Sequence, residues 1–219
     1  MTEPQREDAG KAVDDELPSA ERLKAFTDAV VAIAMTLLIL PLMDSVSSAE
    51  QPTAGAWIVA EWPNLLTFLL SFVLIAEFWL SHHRIFARVE RVDERLIWLT
   101  VLWMLTIVWL PVATAITGTF EPDPIQTVLY VGSLTLTSLV LTLTRVYVLR
   151  HPRLHNEKPE RLREGITVGI ILTILFATAM VLMLLFPQVG YFWLFGLFLA
   201  RPVRHLIRRI SGRAPQPRS

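Results

Sequence analysis

The sequence contains no cysteine among its 219 residues, which excludes disulfide bonds, thiolate metal ligands and cysteine nucleophiles. Charge is also scarce, since Asp, Glu, Lys and Arg make up 18% of the residues and hydrophobic residues 53%. The 20 basic and 20 acidic side chains cancel, so there is no net field to attract nucleic acid. Nucleic acid is therefore not an expected partner.

Motifs that carry enzyme chemistry are missing as well. The sequence has neither a nucleophile elbow nor a glycine-rich phosphate-binding loop. The adjacent His82 and His83 would point about 100° apart on a helix, so they could not both ligate one metal ion. We expect no catalytic residue, no metal site and no cofactor, and we do not expect an enzyme.

Long apolar runs are abundant. A bilayer core of about 30 Å is crossed by roughly 20 apolar helical residues, and only helices satisfy their own backbone in such a run. The predicted fold class is an all-α polytopic membrane protein with six transmembrane helices. The predicted spans lie near 20–43, 62–84, 94–117, 125–149, 165–186 and 188–207.

The polar ends of the chain set the predicted domain limits. Residues 1–18 carry more acid than base, and residues 211–219 are rich in proline and arginine. Both segments are predicted to be disordered tails. Residues 19–210 then form a single transmembrane domain.

The distribution of basic residues predicts the orientation. The linkers after the first, third and fifth runs contain no Lys or Arg. All 20 basic residues fall in the N-terminal segment, the 84–95 loop, the 145–163 loop or the segment from Arg201 onward. Because Lys and Arg near span ends stay on the cytoplasmic side, both termini are predicted to be cytoplasmic.

The first run contains a carboxylate at membrane depth. Asp28 lies about nine residues, or roughly 13 Å, above a helix start at Ser19. Such a group is costly in lipid and is expected to face protein or water. A structural pairing, with Lys24 or a basic group on a neighbouring helix such as His82 or His83, is favoured over a direct role in gating or proton handling.

Farther along the same helix, four residues share one face. At about 100° per residue, Ile33, Thr36, Leu37 and Leu40 fall within an arc of roughly 100°. We call these four residues the stripe. Taken alone, an apolar stripe is more often a lipid-facing or packing surface than a pore wall.

Two motifs resemble the transmembrane protein 175 family, the lysosomal potassium channels and their prokaryotic relatives. The first is Arg22-x-x-x-Phe26-Thr27-Asp28 followed by Ala29-Val30-x-Ala32-Ile33-x-x-Thr36-Leu37-Leu38, and the second is Phe78-Trp79-x-x-His82-His83-Arg84-x-Phe86. Residues from Leu96 to Pro111 are similar to the family as well. The family usually has Ser where this chain has Thr27.

The resemblance implies roles for the residues of the first helix. In relatives, the first helix of each six-helix unit lines a central pore. The resemblance assigns Ile33, Leu37 and Leu40 to an apolar constriction, narrowest at Ile33, and Thr36 to selectivity. It also implies a structural or gating network of Arg22, Phe26, Thr27 and Asp28 with a span-two histidine, either His82 or His83.

The expected function is a potassium-permeable channel with modest selectivity for K⁺ over Na⁺. The first motif occurs once, so four copies are expected to enclose the pore as a homotetramer in the lipid bilayer of a prokaryotic plasma membrane. Permeant K⁺ and other monovalent cations are the only expected ligands. The alternatives are a proton-coupled secondary transporter and a non-conducting membrane assembly protein.

Overall fold

The computed structural model describes residues 19–120 and 123–186. The described chain is helical throughout, with the following elements: α1 (Ala20–Leu37), α2 (Leu40–Ser47), α3 (Ala54–Ala60), α4 (Trp62–Phe86), α5 (Glu94–Thr119), α6 (Pro124–Arg150), a short 3₁₀ turn (Pro152–Leu154) and α7 (Pro159–Leu185).

Five stretches are long and apolar enough to cross a membrane. They are Ala20–Ser47, Trp62–Phe86, Glu94–Thr119, Pro124–Arg150 and Pro159–Leu185. The all-α fold class is confirmed, and the first five predicted spans each match one of these stretches. The predicted sixth span near 188–207 and both predicted tails lie outside the described residues.

The first span is interrupted in its C-terminal half. α1 ends at Leu37 and α2 begins at Leu40, with Ile39 N–H donating to the carbonyl of Thr36 at 3.3 Å between them. Pro41 lies in the first turn of α2. Proline has no N–H to donate and its ring clashes with the carbonyl four residues earlier, so the helix breaks just before it.

Helices α5 and α6 form the centre of the bundle. In the most apolar 18-residue stretch of α5, and in that of α6, 50% of the residues are buried. The corresponding share is 22% for the first span and for α7. The largest fully buried side chains include Trp103 and Tyr130. The Tyr130 hydroxyl lies 2.8 Å from Ser71 Oγ, to which Thr114 donates at 2.9 Å, so hydrogen bonds join α4, α5 and α6 in the core.

At one end of the bundle, the start of α1 and two interhelical loops are joined. Ala20 N–H donates to the carbonyl of Glu90 at 3.1 Å, and Lys24 Nζ donates to the carbonyl of Val89 at 2.8 Å. Glu90 N–H in turn donates to the carbonyl of Leu154 at 3.0 Å. The first turns of α1 are therefore held by the loop after α4, which is itself bonded to the 3₁₀ turn after α6.

The predicted fourth span, near 125–149, agrees with α6, whereas α7 begins at Pro159 instead of near residue 165, which leaves a linker of 151–158. Arg145, which was counted with the basic residues of the 145–163 loop although it also falls within the predicted span, is buried inside α6. It donates to Ser81 Oγ at 2.7 Å and to the carbonyl of Gly165 at 2.5 Å. A charged residue can stay within a helix here because neighbouring helices supply acceptors.

Helix α7 approaches α6 closely at Gly169. A Cβ built on Gly169 would lie 2.3 Å from Thr142 Oγ1, which donates to the carbonyl of Ser138 at 2.8 Å.

Gly169→Ala would displace that hydroxyl, and overpacking of this kind destabilises by about 1–3 kcal/mol. We expect a lower melting temperature in detergent. Gly55→Ala is the control, because no atom lies within 4 Å of its Cβ position; equal melting temperatures for the two variants would contradict the packing.

Candidate functional site

Helix α1 packs on the bundle through small and medium side chains. Thr27, Val31, Ala34 and Leu38 are buried at spacings of four, three and four residues, which is one face of a helix. This face lies against α4 and α5. The short side chains allow the helix backbones to approach closely, as small residues do between membrane helices.

The predicted stripe lies on the uncovered side of the same span. Ile33 is 60% exposed, Leu37 40% and Leu40 49%, and Thr36 is exposed as well. All four residues of the stripe are thus accessible in a single chain. Their roles as constriction and selectivity residues remain predictions.

The hydroxyl of Thr36 has a defined orientation. Its Oγ1 donates to the carbonyl of Ile33, one turn earlier, at 2.8 Å. Because a hydroxyl has one hydrogen and two acceptor lone pairs, this bond commits the hydrogen to the backbone. The lone pairs are left as acceptors on the exposed face.

Asp28 has a partner that the sequence did not reveal. Trp79 Nε1, on α4, donates to Asp28 Oδ1 at 2.8 Å across 51 residues of sequence. His83 packs its ring beside Trp79, with centroids 5.7 Å apart. Among the described residues, the expected hydrogen bond from a histidine to Asp28 is not found. Trp79 was within the second motif, but its sequence spacing gave no sign of the contact.

His82 instead belongs to an aromatic stack inside the bundle. Its ring lies between those of Phe86 and Trp103, with both centroid distances at 4.3 Å. His82 is buried, and its Nε2 has no hydrogen-bond partner among the described residues. The two adjacent histidines therefore face different environments, which follows from their angular separation on a helix.

The other predicted network residues are dispersed around α1. Thr27 is fully buried, and its hydroxyl donates to the carbonyl of Leu23 at 2.8 Å. Phe26 and Arg22 are exposed and line a shallow pocket with Ser19, Leu23, Val92 and Ile97. The bond between Trp79 and Asp28 links this group of residues to α4.

Comparison with protein families links this region to known channels. Residues 22–111 match the family described as the endosomal/lysosomal potassium channel TMEM175. The matched segment contains most of the first and third spans and the whole of the second, including the whole stripe and both motifs. It also contains the contact between Asp28 and Trp79.

Two relatives and one solved structure resemble the chain. A potassium channel of Streptomyces collinus is 40% identical over 96 residues, which are 43% of this chain and 45% of the relative. The endosomal/lysosomal proton channel TMEM175 of Danio rerio is 26% identical over 140 residues, 64% of this chain and 27% of the relative. The alignments thus span less than half the length of these relatives.

The solved structure supports the fold. It is a lysosomal potassium-selective channel TMEM175 homolog from Chamaesiphon minutus, and the TM-score is 0.67 at 23% identity. The alignment covers 84% of this chain and 97% of that one. The described helices therefore have the arrangement of a TMEM175 channel subunit, and the chain is a multi-pass membrane protein.

The bond between Trp79 and Asp28 yields a stability prediction. Trp79→Phe keeps the aromatic packing but removes the indole N–H, and a hydrogen bond to a charged acceptor contributes about 1.5–3 kcal/mol. We expect a lower melting temperature than for Trp98→Phe, a control on α5 that is 64% exposed. In an Asp28→Asn background, the effect of Trp79→Phe should shrink. An equal effect with and without the carboxylate would rule out this coupling.

Proposed function

We propose that this chain, which has the TMEM175 family's sequence over residues 22–111 and the fold of a TMEM175 channel subunit, forms a homotetrameric potassium-permeable channel. In this proposal α1 lines the pore and the stripe faces the permeating ions. The observation that carries it is the exposure of a mixed apolar and hydroxyl stripe within the segment that matches the family.

The exposed surface of α1 carries polar groups that are unfavourable in contact with lipid. Thr36 and the carboxylate of Asp28 are both exposed in the single chain, inside a span with a mean hydropathy of 2.2. An ionisable group at membrane depth normally faces protein or water. Assembly of several chains around α1 would give both groups such surroundings.

A ring of four chains fits the sequence because each chain supplies one helix with the stripe. Closed cyclic symmetry is the usual form of such assemblies. The large apolar side chains would then meet near the axis, and a narrow apolar ring can block ions by dewetting. We assign the narrowest ring to Ile33. The rings of Thr36, Leu37 and Leu40 would follow it along the helix in that order.

The orientation belongs to the same proposal. We infer that the end of the bundle where α1 begins lies in the cytoplasm, because the loops joined there carry basic residues. Arg22, Phe26, Thr27 and Asp28 would then lie toward the cytoplasmic end of the pore helix. The contact of Asp28 with Trp79 supports a structural role for this group, since it ties the pore helix to α4.

Potassium flux through purified protein in liposomes tests the channel. Ile33→Ala should enlarge the flux, because it widens the narrowest apolar ring and eases its hydration. Ile174→Ala on α7 is the matched control, since both isoleucines are 60% exposed but Ile174 is not in the stripe. We expect the control to conduct like the unmodified protein.

The assay also distinguishes the channel from the two alternative functions. Native mass spectrometry of the same sample should give four times the 24.9 kDa of one chain. Folded tetramers without flux would argue for a non-conducting assembly protein, and saturable flux driven by a proton gradient would argue for a transporter. Equal flux from Ile33→Ala and Ile174→Ala would remove Ile33 as the gate.

Selectivity provides a separate prediction. Potassium sheds water more readily than sodium, and the Thr36 oxygens would replace some of the lost waters in the narrow region. Thr36→Ala should therefore lower the K⁺-over-Na⁺ permeability ratio without abolishing conduction. The measurement is the bi-ionic reversal potential, with Thr67→Ala on α4 as a control outside the stripe; an unchanged ratio in Thr36→Ala would contradict the assignment.

A further inference from the structure

The short helix α2 continues the buried side of the first span. Leu38 and Leu42 are both buried and lie one turn apart, so they extend the row of buried residues that runs along α1. The two residues between the helices keep a right-handed helical backbone, with φ −59° and ψ −24° at Leu38 and φ −77° and ψ −20° at Ile39. The buried side of the span therefore passes through the break.

Asp44 lies on the opposite side of α2, together with Leu40. These two residues are four apart within one helix, so their side chains point within about 40° of each other, and each points about 160° away from Leu42. Leu40 is 49% exposed, and Asp44 is exposed as well. The last apolar residue of the stripe is thus followed, about 6 Å farther along the axis, by a carboxylate.

The carboxylate of Asp44 has no structural task within the described residues. None of their side-chain hydrogen bonds or ion pairs involves it, and Ser48 Oγ donates only to the backbone carbonyl of Asp44, at 3.0 Å. Two other carboxylates of the same linkers do hold local structure. Glu61 accepts a hydrogen bond from Asn64 Nδ2 at 2.7 Å, and Asp123 accepts one from the N–H of residue 126 at 2.6 Å.

The end of the bundle that carries Asp44 has charge of one sign. Residues 25–83 and 96–144 contain neither Lys nor Arg, and each of these stretches includes one linker at this end. The two linkers lie together, since a Cβ built on Gly118 would be 3.0 Å from Asn64 Oδ1. The charged side chains described at this end are therefore all acidic, and none of them neutralises Asp44.

We propose that the Asp44 carboxylates of the four subunits line the mouth of the pore at this end and raise the local concentration of permeant cations. This inference rests on the proposed channel. Rings of carboxylates favour cations at pore mouths, and a cleft lined by one sign of charge concentrates counter-ions. The effect depends on salt, because the Debye length falls from about 30 Å at 0.01 M to about 3 Å at 1 M.

Removal of the charge tests this role. Potassium current through Asp44→Asn in planar bilayers should be at least about twofold smaller than that of the unmodified protein at about 0.02 M KCl, and about equal at about 1 M. Asp44→Glu keeps the charge and should conduct like the unmodified protein at both concentrations. Glu50→Gln is the matched control, because it removes an exposed carboxylate from the linker after α2 and should leave the current near its unmodified level.

The absence of cysteine allows the charge to be restored chemically. Asp44→Cys contains a single thiol, which a methanethiosulfonate reagent modifies and mass spectrometry can verify. At low salt, an anionic sulfonatoethyl adduct should raise the current toward that of the unmodified protein, and a cationic trimethylammonioethyl adduct should lower it further. The same adducts on Glu50→Cys should change the current little.

The outcomes separate this inference from the proposed function. Unchanged low-salt current in Asp44→Asn, or an equal loss at both salt concentrations, would overturn the role of Asp44 and leave the channel standing. Equal effects of the anionic and cationic adducts on Asp44→Cys, or equal losses in Asp44→Asn and Glu50→Gln, would also overturn it. Absence of current from the unmodified tetramer would overturn the proposed channel and the role of Asp44 with it.

Discussion

The structure depends on the requirement that polar groups inside a bilayer find their partners within the protein. Lipid offers no hydrogen bonds, so each buried hydroxyl or charge must be matched by another helix or by its own backbone. Ser71 and Tyr130 join two helices in this way, and Arg145 joins three by donating to Ser81 and to the carbonyl of Gly165. These contacts fix how α4, α6 and α7 lie together.

The first span meets this requirement differently. Its buried face is apolar except for Thr27, which bonds to its own helix, whereas Asp28 and Thr36 stay on the exposed side. Most buried polar groups of the described bundle have partners, with His82 Nε2 and Trp103 Nε1 as exceptions, whereas the polar groups of Asp28 and Thr36 are exposed on α1. The exposed polar groups of α1 support the proposed assembly around this helix.

The sequence was sufficient for features that depend on composition and on helical period. The first five spans follow from the length of the apolar runs, and the helical period predicts that Ile33, Thr36 and Leu37 lie on one side of α1. Contacts across helices were not predictable, because they depend on how each helix is rotated about its axis. The bond from Trp79 to Asp28 joins residues 51 apart in the sequence. His82, one of the two histidines expected to bond to Asp28, packs between Phe86 and Trp103. The partners of Arg145 on α4 and α7 were likewise not predictable from the sequence.

The attachments of the first span suggest which part of it can move. Its N-terminal end is held by the bonds of Ala20 and Lys24 to the 87–93 loop, and the next turns by the bond of Asp28 to Trp79. Beyond Ala34 the span has only Leu38 and Leu42 as buried residues, and the helix is interrupted between Leu37 and Leu40. Local stability follows the density of buried contacts and of hydrogen bonds. By this measure, the part of the first span beyond Ala34, which contains the break at residues 38 and 39, is its least firmly held part.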